Sequence, residues 1–159
     1  MEKNPYIAVL VQSLKKKNEI LDMIMMLNKR QKQELENPNL EPDEFDKTVE
    51  EKAKLVDELN KLDDGFKEVF EKAREDLEQH KAQYADEIKE MQEYIRKLTE
   101  KSASIQAQEM RNKDLMTQKF SSIRRQAREV RTSQKVVNQY YKNMMKTNYI
   151  DPQFTDSKK

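Results

Sequence analysis

The sequence predicts an all-α fold, an elongated antiparallel helical bundle or coiled coil of three long helices. Three observations predict it. Apolar or small residues recur every three or four positions from Phe45 to Val130, the spacing of one buried helix face. The 159 residues contain one Gly and four Pro, so long stretches carry no chain breaker. Charged residues make up 38% and hydrophobic residues 35%, a balance that suits narrow seams on long helices better than a round core. Disorder also accompanies high charge and low hydropathy, but a disordered chain has no reason to space its Leu, Ile and Phe at heptad intervals.

The first helix is expected to begin near Asn4, with Pro5 in the first turn, where a missing N–H is harmless. Its apolar face runs through Ile7, Leu10, Val11, Leu14, Leu21, Ile24 and Leu27 to Leu35. The segment from Glu36 to Pro42 holds two Pro and two Asn and reads as a turn. Asp43, Glu44 and Asp46 follow it; acidic residues complement the dipole of a helix start, so a second helix begins here.

No Pro lies between Pro42 and Pro152, yet one helix across that span would be about 150 Å long. A fold-back is expected instead. Asp63-Asp64-Gly65 is one candidate, and the stretch from Glu78 to Asp86 is the favoured one, because the heptad phase slips there. Asp86 is the expected N-cap of a third helix running to about Lys146. The stripe on these two helices comprises Phe45, Val49, Val56, Leu59, Phe66, Phe70, Ala73, Leu77, Tyr84, Ile88, Met91, Ile95, Leu98, Ile105, Met116, Phe120, Ile123, Ala127 and Val130. Residues 1–146 form one domain by length, and 147–159 are expected to be a flexible tail whose Tyr149, Ile150 and Phe154 could dock back.

The net charge of +1 hides an asymmetry. Residues 1–42 carry net +1, residues 43–100 net −8 and residues 101–159 net +8. Self-pairing of the basic third against the acidic middle is the simplest reading. The alternative is that Arg111, Lys113, Lys119, Arg124, Arg125, Arg128, Arg131, Lys135, Lys142 and Lys146 track a phosphate backbone. Only Tyr140 and Tyr141 offer stacking and no groove-reading motif is present, so no nucleic acid is expected.

Chemistry has little foothold. Absence of Cys removes disulfides, thiolate catalysis and Cys-ligated metals. His80 is the lone histidine, without partners for a metal or a triad. One glycine cannot build a phosphate loop. The expectation is no enzyme, no cofactor and no metal. No apolar run approaches a membrane span, and Tyr6–Val11 is too short for a signal sequence, so a soluble, cytoplasmic protein is expected. Met23, Met25 and Met26 beside Ile24 and Leu27 exceed what one narrow seam can bury and suggest gap-filling or an adaptable apolar surface. Val137, Tyr140, Tyr141, Met144 and Met145 form a broad terminal face suited to helix-in-groove contact or to docking on the bundle itself.

The segments 14-LKKKNEIL-21, 49-VEEKAKLVDELNKLDDGF-66, 105-IQAQEMRN-112 and 140-YYKNM-144 carry a resemblance to the FlgN-like flagellar export chaperones, a family with relatives of FliT type. It spans about residues 6–146. The resemblance implies a small cytoplasmic helical chaperone that binds terminal segments of the hook–filament junction (hook-associated) proteins, keeps them unassembled and brings them to the export gate. On that reading the client-binding residues are Ile123, Val130, Val137, Tyr140, Tyr141 and Met144, with the Tyr pair alternatively facing the export gate. A homodimer is compatible with it. The competing reading is a homo-oligomeric coiled-coil scaffold or spacer.

Overall fold

The computed structural model describes residues 3–120 and 134–143. Among these there is no strand, and three long helices dominate: α1 (Pro5–Glu36), α2 (Pro42–Gln79) and α3 (Ala85–Lys119). A further helical stretch covers residues 134–143. The tail from 147 and the stripe residues Ile123, Ala127 and Val130 lie outside the described residues.

Local chemistry sets most of the boundaries. The Asn4 side chain caps α1 by accepting the Tyr6 N–H at 2.9 Å, with Pro5 directly inside. Asn37 ends the helix and its side chain accepts the Asn39 N–H at 2.9 Å, an Asx turn that hands the chain on to Pro38 and Pro42. Asp43 and Glu44 occupy the first turn of α2.

α2 passes straight through Asp63-Asp64-Gly65, and the chain folds back at the second candidate site, residues 80–84. The His80 carbonyl accepts the N–H groups of Gln83 and Tyr84 at 3.0 and 3.2 Å. Tyr84, not Asp86, occupies the N-cap position, and Asp86 falls in the first turn. Packing overrides capping preference here. Tyr84 is buried, and its hydroxyl accepts the Asn4 N–H at 2.9 Å, which ties the turn to the start of α1.

Gly65 sits within helix α2, and a Cβ there would meet nothing within 4 Å. Gly65→Ala should therefore stabilise the fold by about 0.5–1 kcal/mol through lost backbone freedom in the unfolded chain. A rise in the denaturant midpoint with an unchanged slope is the expected readout.

The third helix stops at Lys119, well short of the expected Lys146. Phe120 turns into an apolar group with Leu35, Phe45, Val49 and Met116, its ring 5.4 Å from that of Phe45. The stripe resumes in 134–143, where Val137, Tyr140 and Tyr141 join the main core.

α2 runs antiparallel to α1, as the ties Asn4–Asp76, Lys17–Asp63 and Arg30–Glu51 record. α3 runs parallel to α1, tied by Lys3–Glu87, Asn18–Tyr94, Asn112–Asn28 and Lys119–Asn37. α1 packs along both neighbours, while α2 and α3 barely approach each other. The basic third therefore begins against α1, while its residues 134–143 meet α2, in the acidic middle, at Lys52 and Asp63. The ion pair that does join α2 and α3, Lys52–Glu109, takes its cation from the acidic segment and its acid from the basic one.

Of the predicted stripe on α2 and α3, Phe45, Val49, Val56, Leu59, Phe66, Phe70, Ala73, Leu77, Tyr84, Met91, Leu98, Ile105, Met116 and Phe120 are buried. Ile88 and Ile95 are partly buried against the same core. The Met-rich segment divides: Met25 packs partly against the core while Met23 and Met26 are exposed.

Candidate functional site

The apolar core is in two parts. A large cluster extends from Ile7 to Ile24 on α1, with Val56 to Leu77 on α2, Met91 to Ile105 on α3, and the 134–143 residues. A small one holds Leu35, Phe45, Val49, Met116 and Phe120. Between them lies a buried polar belt: Asn28 and Gln31 from α1, Lys52 from α2, Glu109 and Asn112 from α3, and Gln134.

Lys52 is the hub. Its Nζ donates to Glu109 Oε1 at 2.6 Å, Gln31 Oε1 at 2.9 Å and Gln134 Oε1 at 3.3 Å. The Gln134 amide in turn donates to Glu109 Oε1. Asn112 Nδ2 donates to Gln31 Oε1 at 3.1 Å and to the Asn28 carbonyl at 3.0 Å. Lys52 and Glu109 are 1% and 0% exposed. A pair so deeply buried gives up much of its Coulomb attraction to desolvation, so its burial alone is weak evidence of net stability. Burial pulls the Lys52 ammonium below the usual lysine range, with Glu109 opposing.

One end of 134–143 thus rests on the belt and the other on a second polar pair. Tyr140 donates its hydroxyl to Asp63 Oδ2 at 2.8 Å, and Lys17 holds Asp63 Oδ1 at 2.5 Å with its Nζ 5.9 Å from the Tyr140 ring. Tyr140 and Tyr141 meet edge to face at 5.3 Å. The segment runs alongside α2 in the same direction, from Lys52 to Asp63. Lys135, Val136, Gln139, Lys142 and Asn143 face outward. Burial pushes both tyrosine hydroxyls well above the ordinary value, Asp63 adding to the effect at Tyr140 and Glu109 at Tyr141.

Burial pushes the Lys17 ammonium down to about 8, with Asp63 opposing. Between that value and the ordinary lysine range the unfolded chain holds more protons than the folded one, so Lys17 makes stability rise with pH. The rise is on the order of 3 kcal/mol across the window, and Lys52 acts in the same direction. Above about pH 10 the sign reverses, because Tyr140 and Tyr141 ionise in the unfolded chain first. Denaturant melts from pH 7 to 11 should show this maximum, and Lys17→Met should flatten its rising limb.

Of the six residues expected to meet a client, Val137, Tyr140 and Tyr141 come together, turned into the bundle. Ile123, Val130 and Met144 lie outside the described residues. The belt escaped the sequence reading although a signal for it was present. Positions 28, 31, 52, 109 and 112 continue the heptad spacing of their helices but carry polar side chains. His80 ends α2 and is exposed. No cluster of three metal-ligating side chains occurs among the described residues, and no described helix is long and apolar enough to cross a membrane.

The FlgN protein family matches residues 1–148. This chain belongs to that family. Its members are chaperones of flagellar biogenesis rather than enzymes, and the all-helical fold agrees with that assignment. No curated protein and no solved structure matches the chain.

Proposed function

We propose that this chain is a non-enzymatic cytoplasmic export chaperone for hook–filament junction proteins. It covers their terminal segments, prevents early association and brings them to the export gate. The observation that carries the reading is the seat of residues 134–143: an amphipathic helix of the kind an export client presents lies across α2 and α3, held by a few polar ties and an apolar face. A seat of that kind supports reversible cover, since ordering a disordered segment offsets much of the contact energy.

Client contact is proposed for this region, with Val137, Tyr140 and Tyr141 and their neighbours Ile123, Val130 and Met144. Because the first three face the bundle, a client must either draw them out or take their place. Calorimetric titration of the full chain with synthetic terminal segments of junction proteins tests the reading. Micromolar or tighter binding is expected. Absence of binding, with concentration-dependent self-association in sedimentation, would favour the homo-oligomeric coiled-coil scaffold instead. Tyr140→Ala combined with Tyr141→Ala separates the two modes, weakening a client held by the segment and strengthening one that replaces it.

A further inference from the structure

We infer that the groove between α2 and α3 is a docking site for an amphipathic client helix bearing a side-chain amide followed six and seven residues later by two aromatics, and that residues 134–143 are its internal stand-in. The inference deepens the chaperone reading and rests on it for the identity of the client.

The amide requirement comes from the belt. Lys52 and Glu109 reach toward each other from two helices that otherwise barely approach. The Gln134 side chain meets both, its carbonyl accepting from Lys52 and its amide N–H donating to Glu109. A carboxamide presents an acceptor and a pair of donors side by side at one planar end, and so answers both charges at once. A carboxylate there would oppose Glu109, an ammonium would oppose Lys52, and an alkyl chain would leave both charges short of a partner. The aromatic requirement comes from the far end, where Tyr140 bonds Asp63 beside Lys17 and Tyr141 is fully buried.

The stand-in fits its seat incompletely. Glu109 Oε2 and the Tyr141 hydroxyl are buried without a hydrogen-bond partner. Such atoms weaken the hold of an occupant. A client side chain that reached Glu109 Oε2 would gain a hydrogen bond that the internal segment does not make.

The probe is a fluorescent peptide of residues 134–143 carrying Gln139→Glu, kept helical by a lactam between the Lys135 amine and the new carboxyl, both at exposed positions. In the full chain, Val137→Asp releases the internal segment by placing a charge at a buried position. The peptide should bind this variant at least about tenfold tighter than the parent, and replacing its first Gln by Ala should weaken binding by about tenfold, the scale for a hydrogen bond to a charged group. The Gln preference should vanish in a chain that also carries Lys52→Met and Glu109→Met. Should Val137→Asp lose helicity by circular dichroism, Gln134→Ala with Tyr140→Ala releases the segment more gently. Equal binding of the Gln and Ala peptides, or no binding to a released chain of parental helicity, overturns the inference.

Client identity is read separately, by displacement of the labelled peptide from the released chain. Junction segments that bind without displacing it overturn the client assignment of the groove and leave the chaperone proposal standing. Peptide binding with the Gln preference but no junction segment bound overturns the chaperone proposal and leaves the groove. Dimers of the parent that exchange residues 134–143 assign the seat to a second copy, which also overturns the client assignment.

Discussion

Leu59→Asp should cost at least about 4 kcal/mol and unfold much of the population near room temperature. Leu59 is fully buried in the main core, at the middle of α2 between Val56 and Phe66. Two losses combine. Removing the isobutyl group leaves a cavity, which by itself costs about 3 kcal/mol in a close-packed core. The carboxylate then enters apolar surroundings, where it must remain charged at a high desolvation cost or take up a proton. Leu59→Ala isolates the first loss, so the gap between the two variants measures the second. That gap should narrow at low pH, where the aspartate is neutral. Asn60→Asp next door, on the exposed face, should stay within about 0.5 kcal/mol of the parent. If Leu59→Asp melts like the parent in circular dichroism, the seam is not the packing face and the bundle described above is wrong.

The seam was legible because it rests on a local rule that the fold does not contradict. Apolar residues at helical spacing in a chain with one glycine can bury one face and little else, and Phe45 through Phe120 do so. The breaks between helices were legible where side chains act on their own backbone: Asn4 as a cap, the Pro-Asn turn after Glu36, the acidic start of α2. Legibility failed where a contact between distant residues decides. Asp86 is the better N-cap by propensity, yet burial of Tyr84 against the start of α1 fixes the turn. Nothing local to Phe120 marks the end of α3; what accompanies it is a contact with the Phe45 ring on another helix.

The candidate site shows the same division. The face made by Val137, Tyr140 and Tyr141 was visible as an amphipathic pattern, but a pattern cannot tell whether its partner is foreign or its own bundle. The polar belt was invisible for a different reason. Lys52, Glu109, Gln31 and Asn112 are each of a residue type ordinarily solvated on a helix face, and only their coincidence at one level of the bundle makes them a unit. Heptad slots filled by polar residues on three helices are the trace such a unit leaves, and their alignment cannot be known before the helix register is.

That unit makes its own prediction by a double-mutant cycle. Lys52→Met should destabilise the protein by about 3–5 kcal/mol, because it leaves the buried Glu109 with only the Gln134 amide to answer it. Glu109→Met should cost somewhat less, because Lys52 keeps its two glutamine acceptors. Methionine fills nearly the same space as either side chain and packs adaptably, so cavity terms stay small. In the double variant the two charges vanish together, and only the neutral amides of Gln31 and Gln134 lose partners. Its cost should fall below that of Lys52→Met alone, giving a coupling of at least about 2 kcal/mol. Additive costs would show that the two groups do not meet in solution. A coupling of that size together with a double variant close to the parent would show that the charges contribute little net stability. Their retention at the level where Gln134 docks would then have to be explained by what they hold in place.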